Sequence, residues 1–346
     1  MGDPHRERGG SPGVRLADDH RGDSGTCRGA ALISDPPYAR LTPDRVLDAV
    51  GACGLWPDGR LLALNSYENR VWQVGLEDRP PVIAKFYRPG RWSNAAIAEE
   101  HAFAQELAAA ELPVVASLTF AGHTLLHHEG FRYALTPRCG GRAPELEAID
   151  QLQWLGRLIA RIHLVGACQP FVHRGKLDRD TMVQQPMQAV LGSSLLPAAL
   201  HAQYRVAALR LDAAIAQRQT AIGPLRQLRL HGDCHPGNVL WTDAGPHFVD
   251  FDDARSGPAV QDLWMLANDD RAMTAVLEGY RQFRDFDQAE LALVPVLRAM
   301  RQLHYAGWIA ARWHDPAFPA AFPFAAESRW WEQHITDLHE LADELE

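Results

Sequence analysis

The stretch His231-Gly-Asp-Cys-His-Pro-Gly-Asn238-Val-Leu-Trp, followed by His247-Phe-Val-Asp250-Phe-Asp-Asp253, decides how this chain is understood. Asp233 and Asn238 lie five residues apart in a loop broken by proline and glycine, and Asp250 follows twelve residues later, after a short apolar run. Phosphoryl transfer needs one carboxylate that accepts the proton of the attacking hydroxyl. It also needs an amide oxygen and a second carboxylate that hold Mg²⁺ against the phosphates. We therefore predict Asp233 and Asp250 as catalytic residues and Asn238 and Asp250 as magnesium ligands.

The sequence upstream predicts a hairpin and a third strand: Arg60–Leu64 and Arg70–Val74 joined by Asn65–Asn69, and then Val82–Phe86. Lys85 lies in this otherwise apolar third strand and needs an anionic partner, because burial of an unpaired ammonium is costly. An edge-strand lysine that points to solvent is the alternative.

A helix from Ala95 to about Ala110 follows and carries Glu99 and Glu100. In kinase folds a strand lysine and a helix glutamate together position the α- and β-phosphates of the nucleotide. We predict Lys85 and Glu100 in this role, since Glu100 precedes Phe103 by one helical turn. Glu99 remains the alternative, and a solvated helix face would explain both glutamates equally.

Composition divides the chain into three parts. Residues 1–37 are rich in Gly, Arg, Asp, Ser and Pro, and we expect disorder there because so few large apolar residues cannot offset the ordering entropy. The cluster Thr136-Pro-Arg-Cys-Gly-Gly141 is interpreted as a hinge. Residues 38–138 are predicted to form a nucleotide-binding N-terminal lobe. Residues 139–346 are predicted to hold the catalytic loop, the magnesium site and the acceptor.

The remaining pattern predicts elements of both kinds. Asp150 is expected to cap a helix that ends at His163, and His163 itself is interpreted as structural. Residues Cys168–Ser194 show no clear pattern. The other predicted elements are strands near Thr124–Leu126 and Phe131–Leu135, a helix over Pro197–Gln219, and short strands at Leu228–Leu230, Val239–Trp241 and His247–Val249.

Charge and cysteine content exclude several classes of protein. The net charge of −9 argues against a nucleic-acid binder, since phosphate backbones need a basic surface. The five cysteines are scattered without a C-x-x-C pair, which favours free thiols in a reducing compartment over disulfides or zinc. We found neither an apolar run that could span a bilayer nor a signal-peptide core. A cytoplasmic, monomeric protein without membrane insertion is the expectation.

The segment His231–Asn238 resembles the catalytic loop of the aminoglycoside phosphotransferase and choline kinase superfamily. Further segments are similar to a bacterial serine/threonine protein kinase branch of that superfamily: Asn65–Val71, Lys85-Phe-Tyr-Arg-Pro, Gly257–Leu266 and Asp315-Pro-Ala-Phe-Pro319. The resemblance covers about Tyr38 to Trp331. It implies an α+β, bilobal protein kinase-like fold, with a small mostly-β N-terminal lobe containing one key helix and a larger, mostly α-helical C-terminal lobe.

The resemblance also implies roles for individual residues. Asp233 would be the proton acceptor, Asn238 and Asp250 would bind Mg²⁺, and Ser66 would lie in the hairpin that contacts ATP. The implied activity is ATP-dependent phosphorylation of Ser/Thr in proteins, including the chain itself, in a bacterial stress response.

Two features depart from typical protein kinases. The hairpin contains no G-x-G-x-x-G, so the Ser66 hydroxyl and backbone amides would have to hold phosphate. Only eleven residues separate Asp250 from Asp262, which leaves no room for a long activation loop. We therefore expect no activation by phosphorylation in this segment. Asp262 is interpreted as a structural residue that holds the catalytic loop by hydrogen bonds.

Other functions stay open on the sequence alone. A kinase for small hydroxyl compounds of the aminoglycoside, choline or homoserine type is the main alternative, and an acidic acceptor pocket would favour it. A nucleotide-binding regulator without catalysis is less favoured. A metal-dependent hydrolase would leave Lys85 unexplained. Asp252, expected on the same strand face as Asp250, is a candidate contact for a second metal ion.

Overall fold

The computed structural model describes residues 36–346. The N-terminal part of this range is built on a five-stranded antiparallel sheet. The disorder expected for residues 1–37 falls almost wholly outside that range. The strand order is β1-β2-β3-β5-β4. The strands are β1 (Pro57–Leu64), β2 (Arg70–Leu76), β3 (Val82–Phe86), β4 (Leu126–His128) and β5 (Phe131–Pro137).

Successive side chains of the central strand β3 point to opposite faces of the sheet. Val82, Ala84 and Phe86 are buried in a cluster with helix α1 (Pro43–Gly51). Lys85 alternates with them and is paired with β2 on one side and β5 on the other. Its position in the middle of the sheet excludes the edge-strand alternative.

Helix α2 (Asn94–Ala109) begins after Ser93, whose hydroxyl accepts a hydrogen bond from the amide of Ala96 at 3.1 Å. This side-chain cap satisfies one of the amides that a helix start leaves unpaired. Ile97, Phe103 and Leu107 are buried along one stripe of the helix. This packing fixes the position of helix α2 and therefore the positions of Glu99 and Glu100.

The remainder of the described chain is mainly helical and shares one large apolar core. Helix α3 crosses α6 so closely that a Cβ at Gly156 would lie 2.0 Å from the carbonyl oxygen of Val276, and one at Gly279 would lie 2.0 Å from that of Gln153. The helices are α3 (Ile149–Gly166), α4 (Gln185–Leu191), α5 (His201–Ile222), α6 (Asp270–Tyr280), α7 (Val294–Arg312), α8 (Ala317–Ala321) and α9 (Ser328–Leu345).

Two short strand pairs interrupt the helices and carry the predicted catalytic segments. Strand β6 (Leu228–Leu230) pairs with β9 (Arg255–Gly257), and β7 (Val239–Thr242) pairs with β8 (Gly245–Phe248). The loop from β6 to β7 contains Asp233 and Asn238. Asp250 lies between β8 and β9, so the two segments are the two connections that join these strand pairs.

The predicted α+β class is confirmed, and some local predictions were wrong. Helix α3 begins after Ala148 without a side-chain cap, so Asp150 lies within its first turn. The fourth strand is shifted to Leu126–His128. The segment Cys168–Ser194 contains a π-helical turn and α4, and α5 begins four residues later than expected. No helix among residues 36–346 is both long and apolar enough to cross a membrane.

Candidate active site

One cavity of about 690 Å³ lies between the five-stranded sheet and the helical part of the chain. The six residues predicted from sequence all line it: Ser66, Lys85, Glu100, Asp233, Asn238 and Asp250. Aliphatic side chains of both parts complete the walls, among them Val71, Ile83 and Leu240. The fold therefore brings together residues that are up to 184 positions apart in the sequence.

The start of the catalytic loop is held by Asp262, as the sequence predicted. Its two carboxylate oxygens accept hydrogen bonds from the amides of His231 and Gly232, each at 2.8 Å. Gly232 has a φ of 86°, and a Cβ there would lie 2.1 Å from the carbonyl oxygen of Asp253. Only glycine fits such a position. His163 lies 3.1 Å from the same carboxylate and is fully buried, in agreement with its predicted structural role.

The predicted metal ligand Asn238 and the predicted base Asp233 lie in the same loop. Asn238 donates its amide hydrogen to the carbonyl oxygen of Asp233 at 2.9 Å, and this orientation leaves its side-chain oxygen for another partner. The carboxylate of Asp233 receives a hydrogen bond from Arg301 of α7 at 2.8 Å, and His235 lies 3.5 Å from its second oxygen. The predicted base is thus paired with an arginine in this state.

Asp250 has left-handed backbone angles, φ 60° and ψ 66°, which few residues other than glycine, asparagine and aspartate adopt. Such geometry at a pocket is characteristic of functional sites. Its half-exposed carboxylate lies 2.7 Å from the ammonium of Lys85. Burial alone would lower the pKa of Lys85, but Asp250 and Asp252 raise it well above its usual value. The lysine is therefore fully charged at neutral pH.

We had expected Asp252 to share a strand face with Asp250, but it does not. The turn at Asp250 leads into a short 3-10 helix, Phe251–Asp253, which directs Asp252 into the protein interior. Its carboxylate accepts hydrogen bonds from Asn69 at 3.0 Å and from Arg91. Burial would raise the pKa of Asp252, but the cations Arg91 and Lys85 hold it below its usual range. This residue links the hairpin to the catalytic segments.

The expected ion pair between Lys85 and a glutamate of α2 does not form among the described residues. Glu100 instead binds the guanidinium of Arg174 at 2.7 Å. Glu99 accepts hydrogen bonds from three successive backbone amides, those of Val172, His173 and Arg174. Sequence spacing correctly placed Glu100 at the cavity but did not identify its competitor, a buried arginine 74 residues later.

Charged side chains anchor the hairpin between β1 and β2 to helix α7 and to the connection between α7 and α8. Glu68 accepts a hydrogen bond from the indole of Trp308 at 2.6 Å and an ion pair from Arg312. Asp315 binds Arg70 at 2.8 Å and Arg88 at 2.6 Å. Ser66 lies at the tip, and its hydroxyl contacts the carbonyl oxygen of Asn69 at 3.3 Å. The hairpin, whose loop Asn65–Asn69 contains no glycine, is therefore held in place by residues far away in the sequence.

The short segment between Asp250 and Asp262 is folded throughout. Ser256 carries its only hydroxyl side chain, and it is 8% exposed in the pairing of β6 with β9. Cys234, in the catalytic loop, is buried, and burial raises the pKa of its thiol well above the usual value. An unreactive filler is the role that this environment favours.

Sequence reasoning missed two arginines of the site. Arg91 joins Asp252 and Asp253, and Arg301 contacts Asp233 across 68 residues of sequence. Closeness to Lys85 is the one feature of the sequence that points to Arg91. For Arg301 no feature of the sequence indicates that helix α7 presents it to Asp233.

The profile of the phosphotransferase enzyme family matches residues 60–303. The chain belongs to this family. It is 43% identical over 314 residues to stress response kinase A of Escherichia coli K12, covering 89% of this chain and 95% of that protein. The serine/threonine protein kinase RdoA of Salmonella typhimurium is 43% identical over 308 residues, or 88% and 93% of the two chains.

A solved structure supports the same fold. Amicoumacin kinase hAmiN, in complex with AMP-PNP, Ca²⁺ and Ami, superposes with a TM-score of 0.69 at 18% identity, over 87% of this chain and 94% of that one. The kinase-like fold expected from sequence is thereby confirmed, and this family member is a phosphotransferase. The boundary predicted at residue 138 and the roles of the individual site residues stay predictions.

Proposed function

We propose that this phosphotransferase transfers the γ-phosphoryl group of ATP, with Mg²⁺, to serine and threonine hydroxyls of proteins, including its own chain, in a bacterial stress response. The near full-length identity of 43% to stress response kinase A and to the kinase RdoA carries the proposal. The common cavity of Ser66, Lys85, Asp233, Asn238 and Asp250 supports it, because these residue types suit the reaction.

The donor set fits Mg²⁺. Asn238 uses its amide nitrogen within the protein and keeps its oxygen for a cation, and Asp250 has a half-exposed carboxylate. Asp252 contributes a buried oxygen, Oδ1, that makes no hydrogen bond among the described residues and lies 3.4 Å from the ammonium of Lys85. Oxygen ligands suit magnesium, which takes few of them from protein. We assign Asn238 and Asp250 as its ligands. The bound ion would neutralise charge on the oxygens of the transferred phosphoryl group.

The protein groups supply the rest of the chemistry. Asp233 accepts the proton of the acceptor hydroxyl through a carboxylate oxygen as the new P–O bond forms. Lys85 presents a charged ammonium from the central strand. The nucleotide phosphates attract this ammonium away from its contact with Asp250. Ser66 and the backbone amides of the anchored hairpin bind phosphate from above. The aliphatic walls at Val71, Ile83 and Leu240 would enclose the adenine.

Transfer of labelled phosphate tests this function. The full-length protein is incubated with Mg²⁺ and γ-³²P-ATP together with generic protein acceptors, and in parallel with amino alcohols, aminoglycosides and homoserine. We expect label on protein, recovered as phosphoserine or phosphothreonine after acid hydrolysis, and no label when EDTA removes the metal. Label found only on a small molecule would replace the proposal with the small-molecule kinase. ATP binding without turnover on any acceptor would indicate a regulator.

A further inference from the structure

A second, shallower cavity of about 440 Å³ adjoins the catalytic loop on the side of Asp233. Helix α7 contributes Arg298, Arg301 and Gln302 to it, and His235 belongs to the loop itself. Trp264 and Tyr305 add flat aromatic walls. None of its lining residues is acidic. Its lining residue Arg301 contacts the carboxylate of Asp233, so a group bound in this cavity would lie close to the predicted base.

Positive charge exceeds negative charge there. Arg298 and Arg301 lie three residues apart on α7, so their side chains project from neighbouring positions of the helix. Arg301 is half-exposed and pairs with Asp233, whereas Arg298 forms no ion pair among the described residues. Of these two guanidinium groups, that of Arg301 is paired with a carboxylate and that of Arg298 has no such partner among the described residues.

The acidic groups nearby in the main cavity do not compensate this excess. Asp253 pairs with both Arg91 and Arg255, at 2.8 and 2.7 Å. Glu68 is bound by Arg312 and Trp308. Each of these carboxylates is therefore already engaged by a cation or donor of its own. A cationic acceptor such as an amino sugar would meet the uncompensated guanidinium of Arg298 in this cavity, whereas an anion would be attracted to it.

We propose that Arg298 and Arg301 form an anion subsite that binds a carboxylate or phosphate next to the acceptor hydroxyl of a polypeptide. The inference rests on the proposed protein kinase activity and specifies its substrate class. Guanidinium groups bind such anions in a bidentate manner. An anion bound to Arg301 competes with Asp233 for it, which frees the carboxylate oxygen of Asp233 for the proton of the hydroxyl. Binding of an acidic acceptor is thereby coupled to release of the base.

Matched serine peptides test the subsite. Peptides of one sequence carry Asp, phosphoserine, Asn or Lys at a single position within three residues of the acceptor serine, and kcat and KM are measured with the full-length protein. We expect a kcat/KM about tenfold higher for the best acidic peptide than for its Asn counterpart. A preference for Asp alone or for phosphoserine alone identifies the natural anion as carboxylate or phosphate.

Substitutions assign the preference to the two arginines. Arg301→Gln and Arg298→Gln should raise KM for the acidic peptide and reduce its advantage to below about threefold, and Arg301→Lys should restore part of it. Arg298→Glu should turn the preference toward the Lys peptide. The control Arg205→Gln removes an arginine of α5 that lines neither cavity and should keep the wild-type ratio.

Two results separate the possible failures. Efficient phosphorylation of the Asn or Lys peptides by the wild-type protein, without an acidic preference, would overturn the anion subsite and leave the protein kinase function intact. The absence of transfer to every peptide and protein would overturn the proposed function together with the subsite.

Discussion

The catalytic loop and the nucleotide hairpin face each other across the cavity but are held in different ways. The loop rests on the buried carboxylate of Asp262, which binds two backbone amides and His163. The hairpin rests on long-range ion pairs, in which Glu68 joins it to helix α7 and Asp315 joins it to the connection between α7 and α8. One support is local and hydrogen-bonded, and the other is distant and ionic.

The difference indicates a division of tasks. Backbone hydrogen bonds to a buried carboxylate fix atomic positions and leave little freedom, as a proton acceptor requires. Arginine–carboxylate pairs between distant elements can exchange partners, which suits a hairpin that must admit and release a nucleotide. Loss of the first support should therefore reduce kcat and stability. Loss of the second should mainly affect nucleotide binding.

The largest effect is expected for Asp262→Ala. It leaves the amides of His231 and Gly232 unpaired in the interior, and we expect the free energy of unfolding to fall by about 3–5 kcal/mol. Urea denaturation measures this loss, and phosphoryl transfer should fall with it. The exposed control Asp285→Ala should change stability by less than about 0.5 kcal/mol. Equal stability of the two variants would contradict the role of Asp262.

Asp315→Asn should have the next largest effect. It removes a nearly buried carboxylate from Arg70 and Arg88, and we expect a loss of about 2 kcal/mol in stability. The KM for ATP should rise about tenfold while kcat changes little. Asp343→Asn, which breaks an exposed pair with Arg210, is the matched control and should leave both constants unchanged. A fall in kcat at constant KM would contradict the division of tasks.

Acidification should distinguish the two supports. Burial lowers the pKa of His163 from its usual 6.5, so below that pH the unfolded chain binds a proton that the folded protein does not. Stability should therefore decrease as pH falls below about 6.5, by up to about 1.4 kcal/mol per pH unit for this group. Urea denaturation between pH 7.5 and 5 measures the slope.

Variants separate the share of His163 in this slope from the shares of other buried histidines. His163→Asn should reduce it by the share of one proton, whereas Asp315→Asn should keep the wild-type slope, because the guanidinium groups of the hairpin support remain charged. His334 lies far from both supports in α9, and burial lowers its pKa to about 4, so His334→Gln should reduce the slope in the same way. An unchanged slope in His163→Asn would contradict the assignment.

The smallest effect is expected for Glu68→Gln. The amide oxygen can still accept the hydrogen bond from Trp308. The loss is therefore limited to the ionic part of the contacts that Glu68 makes with Arg312, Arg88 and Arg91. We expect a change of about 1 kcal/mol in stability and a KM for ATP about three- to fivefold higher. Steady-state kinetics at several ATP concentrations measures it. A larger effect than that of Asp315→Asn would reverse the proposed order of the two anchors.

The same comparison explains what the sequence could predict. The positions of Asp233 and Asn238 at the cavity and the supporting contacts of Asp262 could be predicted, because the loop and its support lie within 31 residues of each other in the sequence. The partners of the hairpin were not, since Asp315 lies 245 residues from Arg70 and no local pattern joins them. The pairing of Lys85 was wrong because several carboxylates compete for one ammonium. The face of Asp252 was wrong because the left-handed turn at Asp250 breaks the strand period.

The role of Asp233 is the central claim, and the variant Asp233→Asn tests it most directly. The amide keeps the shape of the side chain but cannot accept the proton of the acceptor hydroxyl. Phosphoryl transfer to protein should fall by about 10²- to 10⁴-fold, while the affinity for ATP, measured in the same preparation by calorimetry, should stay within about threefold of wild type. Transfer at the wild-type rate by Asp233→Asn would contradict the assignment of Asp233 as the base.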